Sequence, residues 1–249
     1  MTTTPTLRQE RNPAMTDDAA LVSVRGLTVR YGRRTALDGL DLDLPAGQIV
    51  GLLGENGCGK STLLKTLAGL YADHDGEVRI AGHRLGPQSK AVVSYLPDRS
   101  ALPERARVRY CLDLFDDFFP DFDRARAEAL LSHFRLDPAM RLKEMSEGMQ
   151  EKAHISLAMS RRAQVYLLDE PISGVDPAAR ASILDGILHM LDADSLLVVA
   201  THLVHDLETS LDSVVMMRHG RVLLTGDVDD LRAEHGTSLE QIFREVYDS

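Results

Sequence analysis

QIVGLLGENGCGKSTLLKTL, residues 48–67, decides the fold. It opens on a short apolar run, Ile49-Val50-Gly51-Leu52-Leu53, of the length of a buried strand. It continues into KSTLLKTLAGL, a helix with Gly69 near its end. Between the two, Gly54, Glu55, Asn56, Gly57, Cys58, Gly59, Lys60 and Ser61 fit the pattern G-x-x-x-x-G-K-[ST]. Glycines let backbone N–H groups turn inward around phosphates, and the start of the helix adds a favourable dipole. Lys60 would neutralise the β- and γ-phosphates, the Ser61 hydroxyl would coordinate Mg²⁺, and Thr62 follows in the same turn. Cys58 contributes its backbone. A tight glycine turn without a ligand is the plainer alternative; the strand–loop–helix context weighs against it.

Working outward, VSVRGLTVRYG and the LDLDL of residues 40–44 alternate as half-buried strands do. Gly32-Arg33-Arg34-Thr35 and Pro45-Ala46-Gly47 are turn material. Residues 77–80 and the segment around His83 read as a small hairpin. From about 98 to 160 the character changes to a helical insert carrying Phe115, Phe118, Phe119 and Phe122. QVYLLDE and SLLVVATH are strands with the amphipathic AARASILDGILHML between them, SVVMMRHGRVLLTG is a hairpin turning at His219-Gly220, and two helices close the chain. Strands alternating with helices predict an α/β fold with a mostly parallel sheet.

Asp169 and Glu170 end the apolar run Val165-Tyr166-Leu167-Leu168. Charge at the end of a buried strand needs a partner. Asp169 would hold Mg²⁺, directly or through water, and Glu170 would orient and deprotonate an attacking water. Taken alone, such a pair is more often an ordinary loop start. It gains meaning from the phosphate loop.

The 249 residues suit one large domain or two small ones. A formal net charge of −10 disfavours a nucleic-acid partner, which needs clustered Lys and Arg. The two cysteines imply no disulfide framework and point to a reducing cytosol. No apolar run reaches the ~18 residues of a membrane span. Residues 1–20 are polar and read as a disordered extension, with residues 21–249 as the folded domain and Met15 as an alternative start.

The order GENGCGKS, MSEGMQ, YLLDEP, SGVDP, ATH resembles the nucleotide-binding subunit of ABC transporters, over nearly the whole chain from Leu21. The resemblance implies a P-loop NTPase core with a small antiparallel β subdomain and an inserted helical subdomain. It implies an ATPase that binds ATP with Mg²⁺. Such an ATPase powers a membrane permease from the cytoplasmic face of the plasma membrane, as a homodimer or with a paralogous subunit. MSEGM, residues 145–149, then stands for the family signature. Ser146 and the N–H groups of Gly148 and Met149 would grip the γ-phosphate of ATP held by the opposite subunit. The residue-level alternative is an N-capped surface helix. Glu147 stands where the family has Gly, and its side chain is expected to point away. Tyr31 matches the aromatic that stacks on adenine, His202 the switch histidine at the γ-phosphate, and Asp176 the loop that crosses the dimer interface. A metal pair of His202 with His205 lacks a third ligand. Asp98 replaces the usual Gln, a hard oxygen that keeps Mg²⁺ ligation available. The YLP-acid stretch, the Ser-x-Gly-Met signature and FFPDFD look most like bacitracin-resistance-type exporter subunits. The Phe-rich segment lies where the family receives its permease, or fills the subdomain's own core. The rival readings are a soluble ABC ATPase of repair or translation and a P-loop kinase or GTPase.

Overall fold

The computed structural model describes residues 20–248. The extension expected over residues 1–20 lies outside these, apart from Ala20. In chain order the elements are β1 (Ala20–Tyr31), β2 (Arg34–Pro45), β3 (Ile49–Leu53), α1 (Lys60–Leu67), β4 (Asp75–Ile80), β5 (His83–Arg84), α2 (Pro87–Ala91) and β6 (Val93–Leu96). They continue with α3 (Val108–Phe118), α4 (Arg124–His133), α5 (Glu147–Ala158), β7 (Val165–Asp169), α6 (Pro177–Met190), β8 (Leu196–Thr201) and α7 (Val204–Leu207). β9 (Ser213–Arg218), β10 (Arg221–Asp227), α8 (Val228–His235) and α9 (Leu239–Asp248) follow.

Two sheets result. β2-β1-β4-β5 is antiparallel throughout. The larger sheet has the order β10-β9-β3-β8-β7-β6, parallel except for the antiparallel edge strand β10. β7 and β8 are buried at every position, as expected of unbroken apolar runs in the middle of a parallel sheet. β10 alternates between exposed and half-buried residues, as an edge does.

The period of two along each strand splits the core. Leu167, Val198 and Leu52 pack with the antiparallel sheet and α1, in one apolar cluster. Tyr166, Leu168 and Val199 face the opposite way, into a second cluster with the helices. The parallel sheet is thus the middle layer. α3, α4 and α5 occupy the region read as a helical insert. Phe122 is buried there, Phe115 and Phe119 pack against that core, and Phe118 stays 71% exposed. The rings therefore divide: three serve the subdomain's packing and one faces outward.

One local reading needs correcting, and one strand had no reading at all. Arg34 and Thr35 belong to β2, paired with Tyr31 and Arg30, so the hairpin turns on Gly32-Arg33 alone. β6 was hidden because Val93-Ser94-Tyr95-Leu96 is too short to show alternation and runs straight into a proline. It is the edge of the parallel sheet, paired with β7.

The topology gathers the chemistry. The glycine-rich loop follows β3, Asp98 follows β6, Glu170 follows β7 and His202 follows β8. Those four strands are mutually parallel, with Leu53 beside Thr201 and Asp169 beside Ala200. All four loops therefore leave from the carboxyl edge of the sheet, where open α/β sheets bind their ligands.

Candidate active site

Gly59 caps α1 with φ 119°, a left-handed value that a side chain resists, and a Cβ there would fall 2.8 Å from the carbonyl oxygen of Ala36. Only glycine lets the loop lie this close to β2. Cys58 points the other way, buried in the core beneath the loop. Burial pushes its thiol up from the ordinary value. It thus offers the loop its backbone and takes no part in a reactive surface.

Lys60 is buried, and its ammonium donates to the carbonyls of Gly54 at 2.6 Å and Glu55 at 3.3 Å. It also lies 3.6 Å from Oε1 of Glu170. The Ser61 hydroxyl donates to Oδ1 of Asp169 at 3.0 Å. The phosphate loop and the carboxylate pair, 108 positions apart in sequence, are therefore one unit.

Asp169 is 1% exposed. Burial raises its carboxyl above the ordinary range, the Ser61 hydrogen bond opposes this, and the nearby charges of Asp98 and Glu170 add to it. A second hydroxyl, that of Tyr95, stands 3.5 Å from Oδ2. Such a buried carboxylate, beside a serine hydroxyl and facing further acids, is short of positive charge. That is the chemistry of a hard divalent cation with oxygen ligands. Among the described residues no group of three His, Cys, Asp or Glu makes a closed metal site. A Mg²⁺ bound through few protein oxygens and the phosphates of a nucleotide fits this donor set.

Glu170 sits at φ 54°, a left-handed conformation that costs a non-glycine residue on the order of 1–3 kcal/mol. Surrounding contacts hold it there. Its N–H donates to the carbonyl of Ala200 at 2.8 Å, and Thr201 Oγ1 donates to its Oε2 at 3.2 Å. His202 Nδ1 lies 3.0 and 3.2 Å from the two carboxylate oxygens. In this pairing the carboxylate oxygens accept, so Nδ1 carries the hydrogen. His205 pairs with Glu240 at 3.7 Å, so the two histidines serve different neighbours.

Lys60, Ser61, Glu170 and His202 line one cleft of about 600 Å³ together with Tyr31, Arg34, Asn56, Gly57, Thr62 and Asp98. Tyr31 is 41% exposed, stands edge-on to Tyr71 at 5.2 Å, and its hydroxyl lies 3.5 Å from that of Thr62. A half-free ring at the mouth of an anion site can stack on a base. Ser146, Gly148, Met149 and Asp176 do not line this cleft. Ser146 caps α5, accepting from the N–H of Met149 at 3.3 Å. Asp176 caps α6 through Ala178 and Ala179. Gly148 packs on Val175. The signature segment thus packs on Val175 of the same chain, away from that chain's own cleft, while Ser173 at the start of the 173–176 loop lines the cleft.

Reading by sequence missed Thr201 and Arg34. Thr201 was findable, as the polar end of an apolar strand immediately before His202. Arg34 was not, while it was taken for turn material.

A family model described as "ABC transporter" matches residues 37–173. The chain is 32% identical over 234 residues to a daunorubicin resistance ATP-binding protein of Streptomyces coeruleorubidus, covering 90% of this chain and 74% of that one. It is 29% identical over 231 residues to a Nod factor export ATP-binding protein of a Rhizobium species, covering 89% and 76%. Among solved structures, one described as an ATP binding subunit of an ABC transporter superposes with a TM-score of 0.81 at 29% identity, covering 91% of this chain and 99% of that one.

Proposed function

Since the chain belongs to the ABC transporter family, as an ATP-binding and ATP-hydrolysing subunit, we propose that two such subunits close on two ATP molecules and drive a separate membrane permease. The second subunit is another copy or a paralogue. Each ATP lies between the phosphate loop of one subunit and Ser146, Gly148 and Met149 of the other. Asp176 belongs to the loop that crosses between them. Tyr31 stacks on adenine, and the N–H groups of residues 54–59 with Lys60 take the phosphates. Ser61, Asp169 and Asp98 are the residues that would hold Mg²⁺. The ion's contribution is positive charge on the phosphate oxygens as negative charge shifts in the transition state.

Glu170 takes the proton of the attacking water, and His202 orients the carboxylate from one side while Thr201 holds it from the other. The contact between Lys60 and Glu170, 3.6 Å, carries this reading: the phosphate cation and the general base share one small volume, where a terminal phosphate and its attacking water must meet.

The direction is outward, by analogy with a drug-resistance and an export protein. The Ser-x-Gly-Met signature and the acid at position 98 support the finer assignment to exporters of the bacitracin-resistance type. No helix among the described residues is long and apolar enough to cross a membrane; in this reading the permease supplies the membrane path. The subunit's place is the cytoplasmic face of the plasma membrane, held there by the permease. A soluble role in repair or translation is disfavoured by the named relatives and by the acidic charge.

The test is the dependence of specific ATPase activity on protein concentration, with Ser146→Ala beside the wild type. Activity per molecule should rise with concentration. Ser146→Ala should lower turnover and leave ATP binding by the monomer intact. Constant activity per molecule at all dilutions, or unchanged turnover in the variant, would remove the shared site.

A further inference from the structure

Arg34 is the first residue of β2 and pairs across the hairpin with Tyr31. Side chains two apart on a strand share a face, and both Arg34 and Ala36 line the cleft. The guanidinium of Arg34 crosses from the antiparallel sheet to the phosphate loop, where Nη2 donates to the carbonyl of Gly57 at 3.3 Å. A Cβ at Gly57 would stand 3.6 Å from that same nitrogen, which places the guanidinium directly beside the loop. Among the described residues the Gly57 carbonyl is its hydrogen-bond acceptor. The rest of its fork of N–H donors is left for an anion.

The charge balance of the cleft gives this arginine a role. Asp98 and Glu170 line it on the acidic side, and Lys60 and Arg34 supply the permanent cations. Lys60 is already committed to two loop carbonyls and to Glu170. Arg34, exposed at the mouth, is the cation an incoming polyphosphate meets first. Guanidinium groups match phosphate oxygens with paired, charge-assisted hydrogen bonds.

We propose that Arg34 is a second phosphate-binding cation of this site, which takes the tail of a nucleoside di- or triphosphate alongside Lys60. The inference rests on the nucleotide reading of the cleft and adds a residue to it. Arg34 and Tyr31, locked in register at one hairpin end, then divide the ligand between them. Tyr31 holds the base, and Arg34 makes the site prefer a nucleotide over a nucleoside.

The experiment is equilibrium titration of the full chain with ATP, ADP and adenosine, for the wild type, Arg34→Ala and Arg34→Lys, with thermal unfolding as a check of the fold. Arg34→Ala should weaken ATP and ADP roughly tenfold or more and leave adenosine unchanged. Arg34→Lys should recover part of the loss, since it keeps the charge without the fork. The proposal is overturned if Arg34→Ala binds ATP within about twofold of the wild type. It is equally overturned if adenosine weakens by the same factor as ATP, because Arg34 would then be shaping the base site. Failure of the underlying reading looks different: the wild type itself would show no ATP binding.

Discussion

The carboxylate of Glu147 is folded over Gly174: a Cβ built at position 174 would lie 2.6 Å from Oε1. Gly174 has φ 75°, so both its backbone and its surroundings ask for glycine. The residue that departs most from the family signature is therefore laid against the loop after the carboxylate pair. Gly174→Ala should lose on the order of 1–2 kcal/mol from its left-handed backbone, and more from displacing Glu147. Thermal unfolding should fall by roughly 2–8 °C. Adding Glu147→Ala should recover the second part alone. A double variant no more stable than Gly174→Ala would mean that the two residues do not compete for this space.

Glu170→Gln keeps the shape of the side chain and its hydrogen bond from Thr201 while removing the base. Turnover should drop by about 10²–10⁴, with ATP still bound through Lys60 and the loop. The trapped nucleotide should accumulate a dimer, visible by size-exclusion chromatography with light scattering. Thr201→Val leaves the carboxylate but removes a donor to its Oε2 and the acceptor for the N–H of Leu203. It should lower kcat by about tenfold or less, at nearly constant KM. Equal effects on kcat and KM would show that Thr201 supports the fold of the site and not the aim of the base.

Much of this arrangement was legible before any coordinates. β3, β7 and β8 announced themselves as unbroken apolar runs, each ending in polar residues. The glycine spacing of residues 54–61 marked the loop, because left-handed and close-packed backbone positions accept little else. What stayed hidden was whatever depends on distant partners. Nothing local says that Ser61 reaches Asp169, or that Arg34 reaches from β2 to the phosphate loop. β6 shows no pattern because four residues carry no usable period. Ser146 illustrates a different limit. An N-cap and a phosphate grip use the same residue type in the same place, and the capping bond to Met149 is compatible with both.

Helix α5 also carries a pH dependence. Burial pushes the Glu151 carboxyl up from 4.5 to about 8, helped by the charges of Asp98 and Glu147. Burial pulls His154 down from 6.5 to about 4; its Nε2 is buried without a partner among the described residues. For Glu151 the stabilising contribution is complete below pH 4.5 and is lost as pH rises through 8. For His154 it is complete above pH 6.5 and is lost as pH falls toward 4. The two slopes oppose each other between 4.5 and 6.5, and from 6.5 to 8 only that of Glu151 remains. Stability should therefore decline over that last interval, by about 2 kcal/mol at most. Denaturant titrations at several pH values should show the decline in the wild type and a flatter profile in Glu151→Gln. Parallel profiles would place the titrating group elsewhere.

The closing helix acts on the phosphate loop from below. The Tyr247 hydroxyl donates to the carbonyl of Met217 and lies 3.4 Å from that of Leu53, the last residue before Gly54. A Cβ at Gly54 would meet that hydroxyl at 3.1 Å and Met217 O at 2.7 Å, so the loop's first glycine rests directly on this contact. Phe243 stacks on the ring at 4.4 Å, and Ile242 is fully buried, which anchors α9 to the sheet. Tyr247→Phe retains that packing and removes only the hydroxyl. Freed from it, the carbonyl of Met217 and the turn at Gly54 that packs against it gain latitude. Loss of one such hydrogen bond, about 1 kcal/mol, corresponds to roughly fivefold weaker ATP binding. Because Glu170, Thr201 and His202 are untouched, the change should appear in KM with kcat nearly constant. A loss of thermal stability with unchanged KM would mean that the tyrosine fastens the helix without steering the loop.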